Sequence, residues 1–339
     1  MVIDFGDLPI FDATTYPSIL LVEKGKPEAA GKTLVATFTD PSQLERLDET
    51  LAAVGFSMPI DALKAEGWTL ERPDVLALME KLRKAGKPLG EYVKGKFYYG
   101  IKTGLNEAFV IDEVTRQQLI AEDPKSADLI KPWLRGRDIR KWKAEWAGLY
   151  LLYVPWHFDL KRFPVVLNHL AQYRDQLENR NESERGRYEW YALQRYAADY
   201  YQEFEKPKII WGNLATEPKF AFDSSANYVS APANIIPTSD LYLLAVLNSP
   251  LCKWWISHRA AVRSGGFLEY KPMYVGEIPV YKATDVQKAP IIERIRAILA
   301  DPDSPADPRL ESEINTLIYN LYDLTKEEIA IVDQRVGNI

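Results

Sequence analysis

The chain has 339 residues, 47% of them hydrophobic, a formal net charge of -6 and one cysteine, Cys252. That length and apolar content allow two ordinary domains with real cores. The lone thiol excludes an internal disulfide framework and a cysteine-rich zinc site, and the acidic balance excludes a protein that is basic all over.

A reducing, cytoplasmic setting is expected. The opening "MVIDFGDLPIF" has no basic region leading into a long apolar run, and no stretch reaches the eighteen or so uncharged apolar residues that a membrane span needs. "VIDFGDLPIF" reads as extended chain broken at Gly6 and Pro9, and "SILLVEKG" from Ser18 as a mostly buried strand. Two short strands cannot make a domain alone, so they complete a larger sheet, either later in this chain or in a longer protein of which it is a part. "DPSQLERLDETLAAVG" opens on Asp-Pro and stops at Gly55, while "RPDVLALMEKLRKAG" opens on Pro73 and stops at Gly86, which predicts two connecting helices.

"KFYYGIKTGLNEAFVID" reads as strand, glycine turn, strand. Further strands are expected in "GLYLLYVPW", "KPKIIWGNL", "KFAFDSSANYVSA" and "EIPVY". Helical spacing of Phe163, Val166, Leu167, Leu170, Tyr173 and Leu177 predicts a helix between the first two of these, and "SDLYLLAVLNSPLCKWWISHRA" a second apolar one. After a Pro/Asp-rich break at 301–308 comes "RLESEINTLIYNLYDL", then a capping box, Thr325 with Glu328, that opens a last helix. Strands and helices interleave irregularly, so the expected class is α+β, not a doubly wound sheet. The expected divisions are 1–30 for terminal strands, 31–92 for a helical connector, 93–285 for the principal domain and 286–339 for a C-terminal helical segment.

Several chemistries are missing. "GKFYYGIKTG" is no phosphate loop, because Ile101 separates Gly100 from Lys102. His157, His169 and His258 form no metal-binding pair. No nucleophile elbow and no dinucleotide loop occurs. Glu269 and Lys271 stand at the Glu-x-Lys spacing of some metal-dependent nucleases, a pattern that chance also supplies.

What stands out is "LIKPWLRGRDIRKWK". Between Lys131 and Lys143 it carries Lys131, Arg135, Arg137, Arg140, Lys141 and Lys143 against Asp138 alone, a local charge of +5 over thirteen residues, bracketed by Trp133 and Trp142. Arginine forks suit guanine edges and phosphates better than ammonium does; the bland alternative is a solvated loop whose cations pair with nearby acids. "NESERGRYEWYALQR" adds Arg185, Arg187 and Arg195 among aromatics, and "SHRAAVRSGGFLEYKPMY" adds Arg259, Arg263, Tyr270 and Lys271 around a Gly-Gly pair. Three separated segments with one chemistry predict one groove assembled by the fold.

In order and spacing, "YYGIKTGLNEAFVID", "LIKPWLRGRDIRKW", "KPKIIW", "LLAVLNSPLCKWWI" and "LESEINTLIYNLYDLT" resemble the TaqI-like C-terminal specificity domain, the target-recognition module of adenine-specific DNA methyltransferases and Type IIG restriction-modification enzymes. The resemblance runs from about Lys94 to the end, and the N-terminal segment resembles the final strands of such a methyltransferase's catalytic domain. The family's Asn-Pro-Pro-Tyr motif and its glycine-containing cofactor loop do not occur here. The resemblance therefore implies a recognition half that does not transfer methyl groups, with S-adenosylmethionine and the flipped adenine belonging to a methyltransferase catalytic domain of the parent protein. It implies double-stranded DNA as partner and no membrane, with Lys102, Arg135, Arg137, Arg140 and Lys141 facing DNA, and Arg187, Arg259, Arg263 and Lys271 behind them. Two other readings stay open: a metal-dependent nuclease using Glu269 and Lys271, and a protein-interaction module of a phage-defence complex.

Overall fold

The computed structural model describes residues 1–6, 8–12, 15–26, 31–38, 40–63, 68, 70–180, 186–260, 262–263, 265–300 and 307–337. The chain divides into two compact units, one of Met1–Lys84 with Ala261–Phe267 and one of Ala85–Ala260 with Leu268–Ile339. Helices and mixed sheets make the class α+β.

The smaller unit is built on a sheet ordered Ser18–Leu20, Val2–Asp4, Lys32–Thr37, Phe56–Pro59. Val2–Asp4 and Lys32–Thr37 run parallel and the other pairs antiparallel. Ile3, Phe5, Leu8, Ala36 and Phe38 form its core. Ser18–Leu20, expected to be mostly buried, is the outermost strand, and Ile19, Leu20, Leu21 and Val22 are exposed. Apolar letters alone cannot tell a central strand from an edge strand. The predicted helix from Asp40 to Gly55 is a 3-10 turn, Pro41–Leu44, capped by the Asp40 carboxylate, followed by a helix, Leu47–Val54; the second helix forms as Pro73–Ala85.

The larger unit holds a five-stranded sheet ordered Tyr98–Tyr99, Asn234–Pro237, Lys208–Trp211, Phe220–Asp223, Trp142–Lys143. A second sheet runs Tyr228–Val229, Ile130–Leu134, Tyr150–Leu152, Val110–Ile111. All four residues of Lys208–Trp211 are buried, its lysine included. The Lys208 ammonium meets the Asp223 carboxylate at 2.6 Å and the Phe204 carbonyl at 2.6 Å, and Asp223 also accepts from Ser225 and Asn227. Burial draws the Lys208 pKa down against the opposing pull of that carboxylate.

The apolar run from Ser239 to Ala260 folds as two helices, Leu241–Leu247 and Pro250–Ser257. Its break is chemical: the Ser249 hydroxyl caps the second helix, Pro250 occupies its first turn, and the Asn248 side chain bonds both backbone groups of Phe220 as well as the Leu244 carbonyl. Cys252 lies in the second helix, wholly buried, and burial pushes its thiol pKa far up. Asp285–Ala300, Pro308–Leu321 and Lys326–Gly337 complete the unit.

Three stretches run parallel and end together. Leu134 pairs with Val229, and Ser230 pairs with Ile101, so the chain leaves the sheet at Arg135 on one stretch and at Lys102 on another, two strand spacings or roughly 10 Å apart. Gly100 is required there, because a Cβ would stand 2.6–2.7 Å from the backbone of Val229 to Ala231. On the far side Lys102 pairs antiparallel with Arg195, each N–H bonding the other's carbonyl at 3.0 and 2.9 Å.

Buried Arg180 ties this arrangement down. Its guanidinium donates to the carbonyls of Leu177, Thr103, Trp190 and Ala192 at 3.0, 2.9, 2.6 and 2.9 Å, and it lies over the rings of Phe109 and Tyr188. Lysine keeps the charge but lacks the planar fork and has too few N–H groups for four carbonyls. Arg180→Lys is expected to lower stability by about 2–4 kcal/mol, seen as a lower urea midpoint with an unchanged m-value.

Candidate nucleic-acid interface

The basic island runs from the strand Ile130–Leu134 through the turn Gly136–Asp138 to the strand Trp142–Lys143, and at least three of its six cations meet carboxylates. Arg135 faces Asp138 bidentately, with Nε to Oδ2 at 2.9 Å and Nη2 to Oδ1 at 2.7 Å, while the Arg135 N–H bonds the same carboxylate. Arg140 bonds Glu145 at 3.0 Å and the Arg137 carbonyl at 2.7 Å. Lys141 meets Glu311 at 2.8 Å, and the Trp142 indole N–H donates to the other oxygen of that carboxylate. Trp142 is buried, and its φ of 76° turns the chain into the five-stranded sheet beside Ala221. A cation with a carboxylate at 3 Å projects little field, so the linear sum of +5 overstates what a ligand meets.

Lys131 and Arg137 make no side-chain hydrogen bond or ion pair among the described residues, and Arg137 is exposed on the turn Gly136–Asp138. The same holds for exposed Lys102, Arg187 and Arg195. The fold therefore brings together Arg135, Lys102 and Arg195 at the common end of the parallel stretches. Arg187 adjoins buried Tyr188, which stacks on Trp156 at 5.0 Å. Arg185 lies outside the described residues.

The third predicted segment is less available. Arg259 bonds Glu277 at 2.8 Å, Lys271 bonds Glu269 at 2.8 Å, and Arg263, which belongs to the smaller unit, is also engaged. Glu269 is buried, and among the described residues no group of three or more His, Cys, Asp or Glu side chains is placed to hold a metal ion.

A small recess of about 50 Å³ opens beside Gly136, with Trp211, Phe220 and Tyr270 behind it and exposed Leu214 and Lys219 among its lining. Lys219 has no side-chain partner among the described residues. Sequence reasoning passed over Lys219, and it did not rank Arg195 among the DNA-facing residues; only their position beside other free cations distinguishes them from ordinary surface charges.

Residues 131–280 match the TaqI-like C-terminal specificity domain family. The matched segment begins at the first residue of the island and ends in the strand Pro279–Tyr281. Over a longer span the chain is 26% identical to the Type II methyltransferase M.PaeR7I of Pseudomonas aeruginosa, covering 96% of this chain and 56% of that protein. It is 23% identical to the Type II methyltransferase M.XhoI of Xanthomonas vasicola, covering 97% and 61%. The chain thus spans little more than half the length of these curated relatives. Among solved structures, the Type IIL restriction-modification enzyme MmeI in complex with DNA is similar with a TM-score of 0.56 at 12% identity, covering 100% of this chain and 46% of that one; the likeness is one of fold.

Within the matched segment the Arg135–Asp138 pair makes a pH-dependent contribution. Burial raises the Asp138 pKa, but the Arg135 guanidinium and N–H, with Arg137 nearby, outweigh it and hold the carboxyl below its ordinary value. A lowered folded pKa stabilises fully above the unfolded value of about 4 and is lost as pH falls through the folded one. Asp138→Asn is expected to cost about 1.5–3 kcal/mol at neutral pH, with the gap from the parent narrowing below about pH 4, as thermal melts across pH would record.

Proposed function

We propose that this chain is the duplex-DNA recognition part of an N6-adenine methyltransferase or restriction-modification enzyme, acting in the cytoplasm and performing no methyl transfer itself. The observation that carries this reading is the specificity-domain match over residues 131–280. The exposed cations support it: in a chain of net charge -6, the side chains of Arg137, Lys102, Arg195 and Lys219 make no hydrogen bond or ion pair among the described residues. Duplex DNA presents a dense row of phosphates, and each cation that meets one releases condensed counterions. Arg137, on an exposed turn, has the fork geometry for a guanine edge or a phosphate.

Adenine as the methylated base, and S-adenosylmethionine as the cofactor of a separate catalytic part, rest on the family resemblance. The absence of an Asn-Pro-Pro-Tyr motif from these 339 residues is consistent with recognition without catalysis. We assign the outer strand Ser18–Leu20, with exposed Ile19, Leu20, Leu21 and Val22, as the edge on which a catalytic sheet continues; an open apolar edge otherwise invites pairing with other chains.

The test is selection from random duplex DNA at several salt concentrations. Salt-dependent enrichment of a short motif containing adenine is the expected result, and binding without any enriched motif would remove the specificity assignment. Arg137→Ala is expected either to relax one position of the motif, costing about 1–3 kcal/mol there, or to weaken all sequences alike and lower the salt slope by about 1.

A further inference from the structure

Lys102 and Arg195 form an unusual pair. Directly opposite residues in an antiparallel bridge send their side chains to the same side, with Cβ atoms about 4.5–5.5 Å apart, and like charges so placed repel. Both are exposed, neither has an acid partner among the described residues, and the backbone leaves them no freedom to separate at their bases. The positions are held from beneath. Thr103, next to Lys102, accepts from the Arg180 guanidinium and from the Gln194 N–H, and the carbonyl of Ala192 accepts from the same guanidinium. Gly104 allows this turn, with φ +83° and a hypothetical Cβ only 2.9 Å from the Arg180 Nη1. Burial raises the Tyr200 pKa against a smaller opposing pull from nearby Arg195, and the Tyr200 hydroxyl is fixed on the Tyr99 carbonyl at 3.1 Å.

We propose that Lys102 and Arg195 together clamp a single backbone phosphate of bound DNA, with Lys102 about two strand spacings from Arg135, where the chain leaves the sheet. A rigidly spaced pair of repelling cations lacks only an anion between them, and a phosphodiester brings one charge with two free oxygens, one for each donor. The clamp rests on the DNA-recognition reading and adds to it a named phosphate subsite lying partly outside the matched specificity domain, since Lys102 precedes residue 131.

The experiment measures the full chain, Lys102→Gln, Arg195→Gln and the double variant against a fluorescein-labelled random-sequence duplex over a salt series. One shared phosphate predicts that the log-log salt slope of the double variant falls by about 0.9 and that the two single losses are not additive. Relief of like-charge repulsion predicts melting temperatures no lower than the parent's. A fall of about 1.8 with additive losses would mean two separate phosphates and overturn the clamp. An unchanged slope, or a lowered melting temperature in both single variants, would also overturn it while leaving DNA recognition standing. Absence of salt-dependent binding by the parent chain would remove the DNA reading and the clamp with it.

Discussion

The arrangement of the larger unit turns on one buried guanidinium. Arg180 collects carbonyl oxygens from the glycine turn after Lys102, from its own helix end and from the segment leading to Arg195. A buried cation is tolerable only when its N–H groups are satisfied, so the positions of those carbonyls are mutually dependent. The aromatic rings of Phe109 and Tyr188 lie against it. Removing it would leave several buried acceptors unpaired at once, so the turn, the helix end and the return segment hold their places together.

Electrostatics then depends less on where the cations are than on where the acids are. Asp138, Glu145 and Glu311 each pair with one of the island's six cations, while Arg137 and Lys131 have no such partner among the described residues. A surface arranged in this way has internally compensated arginines that shape the turn and a few other cations that can engage a polyanion. The separation is useful to a recognition module, because shape is kept at any ionic strength while attraction remains tunable.

Much of this was legible in the residues. The strands within 148–156, 206–214, 219–231 and 277–281 follow from β-branched and aromatic runs bounded by Gly, Pro and Ser, and they form where expected. The short helix Asn106–Phe109 was not legible, since four residues carry no period. Arg180 reads in sequence as the polar end of an amphipathic run; only the returning chain at Trp190 and Ala192 makes it a hub. The Arg135–Asp138 pair, three residues apart, was within reach of local reasoning. Glu311 was not: 170 residues separate it from Lys141, and no charge pattern along the chain announces that contact.

Cys252 carries a practical consequence. The chain's only thiol is sealed inside the helix Pro250–Ser257 and held protonated by its apolar surroundings, which makes it a poor nucleophile toward maleimides and disulfide reagents. The folded protein is therefore chemically silent to such labels. A cysteine introduced on its surface would be the single reactive handle, so spectroscopic probes and photocrosslinkers can be placed beside the exposed cations without first replacing a native residue.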